Sequence, residues 1–233
     1  MTLMNTATVE LTSPLAAALQ SFNLLPSSTL HPERAQTLWP EDAAHSALLA
    51  HPAMENALHR QRSAQLLRSL GGDAAPVLNV QDAAMPLALA QTSRLAQLSR
   101  LSGALLLGQH LRRMITRAQV VHARQALQPE IFDWAVQQAG ELHEGLNDQQ
   151  LRPWLGEDLH ANALQLGGGL VAQALEEAPA PIRLRAHWKL HPAADDASLR
   201  DASGLAPHTA RTLCLAMMKQ LDSTWLSYFP ATR

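Results

Sequence analysis

The stretch LALAQTSRLAQLSRLSGALLLGQHLRRMITRAQVVHARQAL, running from Leu87 to Leu127, decides how the rest of the chain is read. Between Ala83 and Pro129 there is no Asp or Glu, but there are six arginines: Arg94, Arg100, Arg112, Arg113, Arg117 and Arg124. This local charge of +6 sits in a chain whose net charge is -2. The next segment, Glu130 to Glu177, carries nine acids against the single base Arg152, a local charge of -8. Charge segregated this way in consecutive helix-forming stretches predicts either two elements that face each other or a surface with a positive and a negative side. Both readings point to recognition rather than chemistry.

At 100° per residue the stretch does not hold one apolar stripe from end to end. Leu95, Leu98, Leu101, Leu105 and Leu106 share a face in the first half. After Gly108 the apolar face turns to Leu111, Met114, Ile115, Ala118 and Val121. The helix is therefore either buried on different sides along its length or bent or broken near Gly103 and Gly108. Arg113, Arg117 and Arg124 fall together opposite the second apolar face. They read as a solvated face or as a docking stripe, since no acid within the stretch can pair with them at i,i+4.

Working outward, 233 residues suffice for one domain with a real core, or for a main domain with a small satellite. Apolar residues make up 47% of the chain and aromatic residues only 4%. A chain rich in Leu, Ala and Gln favours helices, and β-branched or aromatic runs for strands are scarce. The expected fold is an all-α, irregular multi-helix bundle. Cys214 stands alone, so the chain cannot close a disulfide or build a thiolate metal cluster, which suits a reducing compartment. Met1 to Glu10 has neither the basic nor the apolar region of a cleaved signal, and no window approaches a membrane span. These features predict a soluble cytosolic protein without direct membrane insertion.

Along the chain, residues 1–12 read as a flexible tail, and Pro14 to Phe22 as two helical turns. Prolines at 32, 40 and 52 each open a short helix, the third running to Leu70 and stopping at Gly71-Gly72. Residues 13–72 thus form an N-terminal helical subdomain, residues 73–86 a linker, and residues 87–233 the main helical domain. Pro129 starts an amphipathic helix with Ile131, Trp134, Ala135, Leu142 and Leu146 on one face and Glu130, Asp133, Glu141 and Glu144 on the other. This acidic face either meets the arginines or lies in solvent. Pro181 to Leu190 alternates apolar with polar, the period of a strand, so one short extended segment is expected near residues 182–190. Ala193 to Pro207 reads as a loop and Pro207 to Tyr228 as the closing helix.

No motif carries chemistry. His187 and His191 are the histidines four apart, but they lie in the stretch that looks extended and precede Pro192, so no metal site is expected. Gly167-Gly168-Gly169 lacks the Gly-Lys-Ser/Thr ending and the preceding strand of a phosphate loop, and reads as a hinge between helices. No Gly-x-Ser-x-Gly elbow occurs, and Cys214 lies on the apolar face of its helix. No aromatic residue stands between Trp39 and Phe132 to stack on single strands, and the acidic flank repels phosphate, which argues against nucleic acid.

Phe22-Asn23-Leu24-Leu25-Pro26, Leu30-His31-Pro32 and Trp39 resemble the opening of the SctK or YscK family, sorting-platform components of bacterial type III secretion systems. The likeness resumes at Leu101 to Gly108, Arg112 to Ile115, Leu127 to Phe132 and Ile182 to Leu190. The resemblance implies a mainly helical, non-enzymatic adaptor without a cofactor, peripheral at the cytoplasmic face of the inner membrane. It also implies two partners, the cytoplasmic domain of the inner-membrane ring protein (SctD type) and the pod protein (SctQ type). Arg113, Arg117 and Arg124 are the candidate residues for one contact, Glu141 and Glu144 for another. The competing class is a helical ligand-binding protein or enzyme with an unrecognised pocket, for which convergent buried polar groups would speak.

Overall fold

A computed structural model describes residues 13–40, 52–156 and 158–229. The expected tail over residues 1–12 and most of the helix expected from Pro40 to Ala50 lie outside the described residues. In chain order the N-terminal part forms α1 (Ser13–Leu24), a 3-10 turn at Pro26–Thr29, α2 (Pro32–Leu38), α3 (Pro52–Ser69), a 3-10 turn at Gly71–Ala74 and α4 (Met85–Leu89). The arginine-rich stretch forms α5 (Thr92–Leu106), α6 (Gly108–Arg112) and α7 (Arg117–Leu127). There follow α8 (Pro129–Gln137), α9 (Ala139–Leu142), α10 (Asp148–Leu151) and α11 (Leu159–Leu175). The chain continues with α12 (Ala180–His187), α13 (Ala197–Asp201), α14 (Pro207–Leu221) and α15 (Ser223–Ser227). The described residues contain helices and no strand, the all-α fold expected.

The centre is the crossing of α5 on α11. Leu95, Leu98, Leu101, Leu105 and Leu106 are buried as the wheel requires, and the helix ends at Leu107 before Gly108 starts a new one. Gly103 does not bend α5; it lets α11 in. A Cβ on Gly103 would lie 1.8 Å from the carbonyl oxygen of Ala163, and one on Gly167 would lie 1.7 Å from that of Ser99. Small residues four apart on each helix, Ser99 and Gly103 against Ala163 and Gly167, bring the two backbones into contact. The hinge expected at residues 167–169 is therefore incorrect: the three glycines lie inside α11, which is continuous through them. Gly169 takes a second close neighbour, the carbonyl of Leu199 in α13. Glycine weakens an isolated helix, but burial on two sides supplies the stability that propensity withholds.

The extended segment expected near residues 182–190 is also corrected, to α12 and the turn that follows it. Ile182, Arg185, Ala186, Lys189 and Leu190 are all buried. Their spacing of 3, 4, 7 and 8 is helical; it looks alternating only if arginine and lysine are assigned to solvent. Arg185 is 1% exposed, with Nη1 donating to the carbonyls of Asp73 (3.1 Å) and Pro181 (2.9 Å), and Nη2 to those of Ala74 (2.7 Å) and Ala75 (3.1 Å). Lys189 is 3% exposed, its Nζ donating to the Ala88 carbonyl at 2.8 Å and lying 5.9 Å from the Phe22 ring centroid.

The remaining elements refine the sequence expectations. The amphipathic helix expected from Pro129 breaks at Gln138 into α8 and α9 and stops at Leu142, and Gly145 takes φ +96° so that Leu146 can donate its N–H to the Leu106 carbonyl at 2.7 Å. Residues 193–207, expected as a loop, contain a 3-10 turn (Pro192–Asp195) and α13. The closing helix breaks at Asp222, whose carboxylate caps α15 by accepting from Trp225 N–H at 2.9 Å. Within residues 73–86, Val77, Val80, Ala84 and Met85 are buried, and Asn23 bonds both N–H and C=O of Val77 at 2.7 and 2.8 Å.

Burial pushes the Lys189 ammonium down to about 7, because a charge there loses its hydration. In the unfolded chain this lysine keeps its proton to near 10.5. Between those values the unfolded state binds more protons, so stability rises with pH. Urea unfolding at pH 7.0 and 8.5 is expected to show wild type gaining about 1–2 kcal/mol relative to Lys189→Met across that interval. The difference between the two proteins cancels Cys214, whose thiol burial raises to about 12. Parallel pH profiles for the two proteins would contradict the assignment.

Candidate interaction surface

The residues singled out in the sequence converge around α7. Arg113 ends α6, and Thr116 opens α7 with a capping box: its Oγ1 accepts from Gln119 N–H at 3.3 Å, and its own N–H donates to Gln119 Oε1 at 3.3 Å. The break between the helices resets the register. As a result α7 buries Ala123 and Leu127, with Val120 and Ala126 partly covered. The apolar face expected at Ile115, Ala118 and Val121 is not the buried one. Ile115 is 90% exposed, Val121 is 44% exposed, and Ala118 faces solvent beside them. A wheel carried across a break assigns the second helix the wrong side.

Arg117, Ala118, Val121, His122 and Gln125 line one shallow surface on the outer side of α7. Arg117 has no hydrogen-bond or ion-pair partner among the described residues. The other two arginines of the expected stripe are tied down. Arg124 bonds both oxygens of Asp133 at 2.5 and 2.7 Å, which holds its pKa above the ordinary arginine value. Its guanidinium also stands 5.9 Å from the ring centroid of Phe132 on α8. Arg113 pairs with Asp148 at the start of α10. Both pairs are exposed, where water and salt screen an ion pair and leave it little net effect on the stability of the fold.

The acids that meet the arginines are thus Asp133 and Asp148, not Glu141 and Glu144. Glu141 and Glu144 are exposed, and no ion pair joins either to a described residue. The backbone carbonyl of Glu144, not its carboxylate, accepts from Arg112 Nη2 at 2.8 Å. The sequence therefore brings a positive and a negative element together through one acid of the expected face, Asp133, and one beyond it, Asp148, and leaves Arg117, Glu141 and Glu144 facing outward.

A second polar cluster joins α2 to the C-terminal half and was not legible in the sequence. Arg34 donates to both oxygens of Asp195 at 2.7 Å and to the Leu190 and His191 carbonyls at 2.8 and 3.3 Å. His191 Nε2 lies 2.9 Å from Glu33, and His187 Nδ1 3.6 Å from Asp195. The two histidines considered for a metal thus go to different carboxylates. No group of three or more His, Cys, Asp or Glu able to hold a metal occurs among the described residues. Burial lowers the His187 pKa, with Asp195 partly opposing it.

The described residues define an all-helical protein whose sequence-marked side chains form surfaces, and no described helix is long and apolar enough to cross a membrane. A family model described as YOP proteins translocation protein K (YscK) matches residues 21–229. The chain belongs to this family of type III secretion proteins, as the resemblance of its separated segments implied. No curated protein and no solved structure matches it significantly.

Proposed function

We propose that this chain is a non-enzymatic cytoplasmic adaptor of a type III secretion sorting platform. It bridges the cytoplasmic domain of the inner-membrane ring protein (SctD type) to the pod protein (SctQ type), peripheral at the cytoplasmic face of the inner membrane. Family membership supplies the secretion system. The observation that carries the bridging reading is the outer face of α7, where Ile115 and Val121 are exposed beside Arg117, which has no partner among the described residues. Apolar side chains with a charged neighbour, left uncovered by the described residues, are the makings of an interface centre. Glu141 and Glu144 offer a surface of opposite sign for the second partner. Charge sets encounter and orientation there more than affinity.

The test uses the purified chain with the purified ring-protein domain and pod protein of its own system. Ile115→Asp combined with Arg117→Glu is expected to weaken binding to one partner by about tenfold or more, with far-UV circular dichroism unchanged. Glu141→Lys with Glu144→Lys is expected to weaken the other. Wild-type protein that captures neither partner, or binds both only one at a time, contradicts bridging.

A further inference from the structure

A cavity of about 470 Å³, within the range of small-molecule sites, lies between α1, α4, the start of α5 and α15. Ala17, Ala18 and Phe22 of α1, Leu89 and Ala90 at the end of α4, and the Trp225 indole give it mostly apolar walls. Asp222 is the one carboxylate among its lining residues, and it is spent: its side chain pairs with Arg94 at 3.3 Å and accepts from Trp225 N–H at 2.9 Å. Lys189 also lines the cavity while being only 3% exposed. Its Nζ lies 5.9 Å from the centroid of the Phe22 ring and donates to the Ala88 carbonyl at 2.8 Å, next to Leu89 and Ala90, so the ammonium stands in the cavity's inner wall. That carbonyl takes one of its three donors, and no carboxylate pairs with it among the described residues. Arg185, by contrast, meets four carbonyls. A buried cation without a counter-charge is costly, and this one borders an apolar-walled space.

We propose that this cavity binds a small amphipathic carboxylate, an aliphatic acid whose tail lies along Ala18, Phe22 and Trp225 and whose head meets the Lys189 ammonium. A single point charge at the polar end, with no cluster of free cations around it, suits one carboxylate better than a multiply charged anion, and the walls suit hydrocarbon. The charged groups flanking Lys189 are Arg94 and Asp222 along this cavity and Glu33, His31, Arg100 and His191 along a smaller one on its other side. None of them accounts for the lowered pKa of the ammonium, whose cause is burial alone, so a carboxylate arriving at Nζ would raise that pKa and bring a proton with it. The cavity lies where α1 meets α15, so occupancy would tie the first helix to the last. This does not depend on the adaptor reading, and either can fail alone.

The experiment is isothermal titration calorimetry of the full chain with sodium octanoate at pH 8.0, run in phosphate and in Tris. Octanoate is expected to bind at one saturable site with uptake of about 0.5 proton or more, read from the difference in heat between the two buffers. 1-Octanol, which carries the tail alone, and acetate, which carries the head alone, are each expected to bind at least about tenfold more weakly. The apparent Kd for octanoate should rise about fivefold or more from pH 7.5 to 8.5, as free Lys189 loses its proton. Lys189→Met is expected to abolish both the proton uptake and the preference for octanoate over octanol, and Lys219→Met to leave both unchanged. Octanol binding as tightly as octanoate, binding without proton uptake, no saturable octanoate site, or an unaltered titration in Lys189→Met overturns the proposal. If Lys189→Met fails to fold, the proton uptake and the octanol comparison in wild type decide.

Discussion

Replacing Gly168 by alanine is expected to stabilise the protein, while the same change one residue earlier should come close to unfolding it. A Cβ on Gly168 would find nothing nearer than the Ala194 Cβ at 4.0 Å, an ordinary contact. The substitution should therefore gain about 0.5–1 kcal/mol from helix propensity and lost unfolded-state freedom. On Gly167 the new carbon would sit 1.7 Å from the Ser99 oxygen and 2.6 Å from its carbon, both backbone atoms of α5. No rotamer change relieves a clash of backbone with Cβ, so the two central helices must separate and every layer packed on them with them. A cost of about 3–5 kcal/mol is expected, against a total of about 5–15 for a domain. Gly103→Ala should match it from the other side of the crossing. Urea unfolding of the three variants measures this; similar midpoints for Gly167→Ala and Gly168→Ala would show that α5 and α11 are not in contact there.

Loss of the buried guanidinium at Arg185 is the second large effect. Four backbone carbonyls depend on it, three of them in consecutive residues of the turn that ends α3. Arg185→Met fills similar volume but strands those acceptors in the interior. A net destabilisation of about 3–4 kcal/mol is expected, less than a sum over bonds because burying the cation itself is unfavourable. Arg185→Lys should recover little, since an ammonium cannot span carbonyls that the guanidinium reaches from two nitrogens. Hydrogen exchange is the sharper measurement: amides from Leu70 to Ala84 should lose protection in Arg185→Met before those of α11 do. Uniform loss across the chain would mean that Arg185 supports the whole core and not this turn.

These two predictions sit where sequence reading did least well, for a common physical reason. α5 was legible because Leu95, Leu98, Leu101, Leu105 and Leu106 mark its buried face, and the break at Gly108 because the apolar face rotates there. Pattern reading treats arginine and lysine as surface and glycine as punctuation. In α12 two cations occupy core positions, which turns a helical period into apparent alternation. In α11 three glycines occupy a helix interior, because a neighbouring backbone needs the space. Of the candidate surface, the exposure of Arg113, Arg117 and Arg124 could be read from the chain. That Arg124 takes Asp133 out of the acidic face, that Arg113 takes Asp148, and that Arg117 has no partner among the described residues could not, since the pairs form across turns whose geometry no single-helix wheel represents.

The chain contains two lysines, and the structure buries one of them. Lys219, exposed near the end of α14, is therefore the one lysine side chain that bulky amine-directed reagents can reach. Succinimide cross-linking of an assembly containing this protein would report the neighbourhood of α14 and be silent about the face carrying Ile115 and Arg117. Carboxylate-directed coupling through Glu141 and Glu144, or a photoreactive side chain installed at Ile115, would map the contacts that lysine chemistry misses.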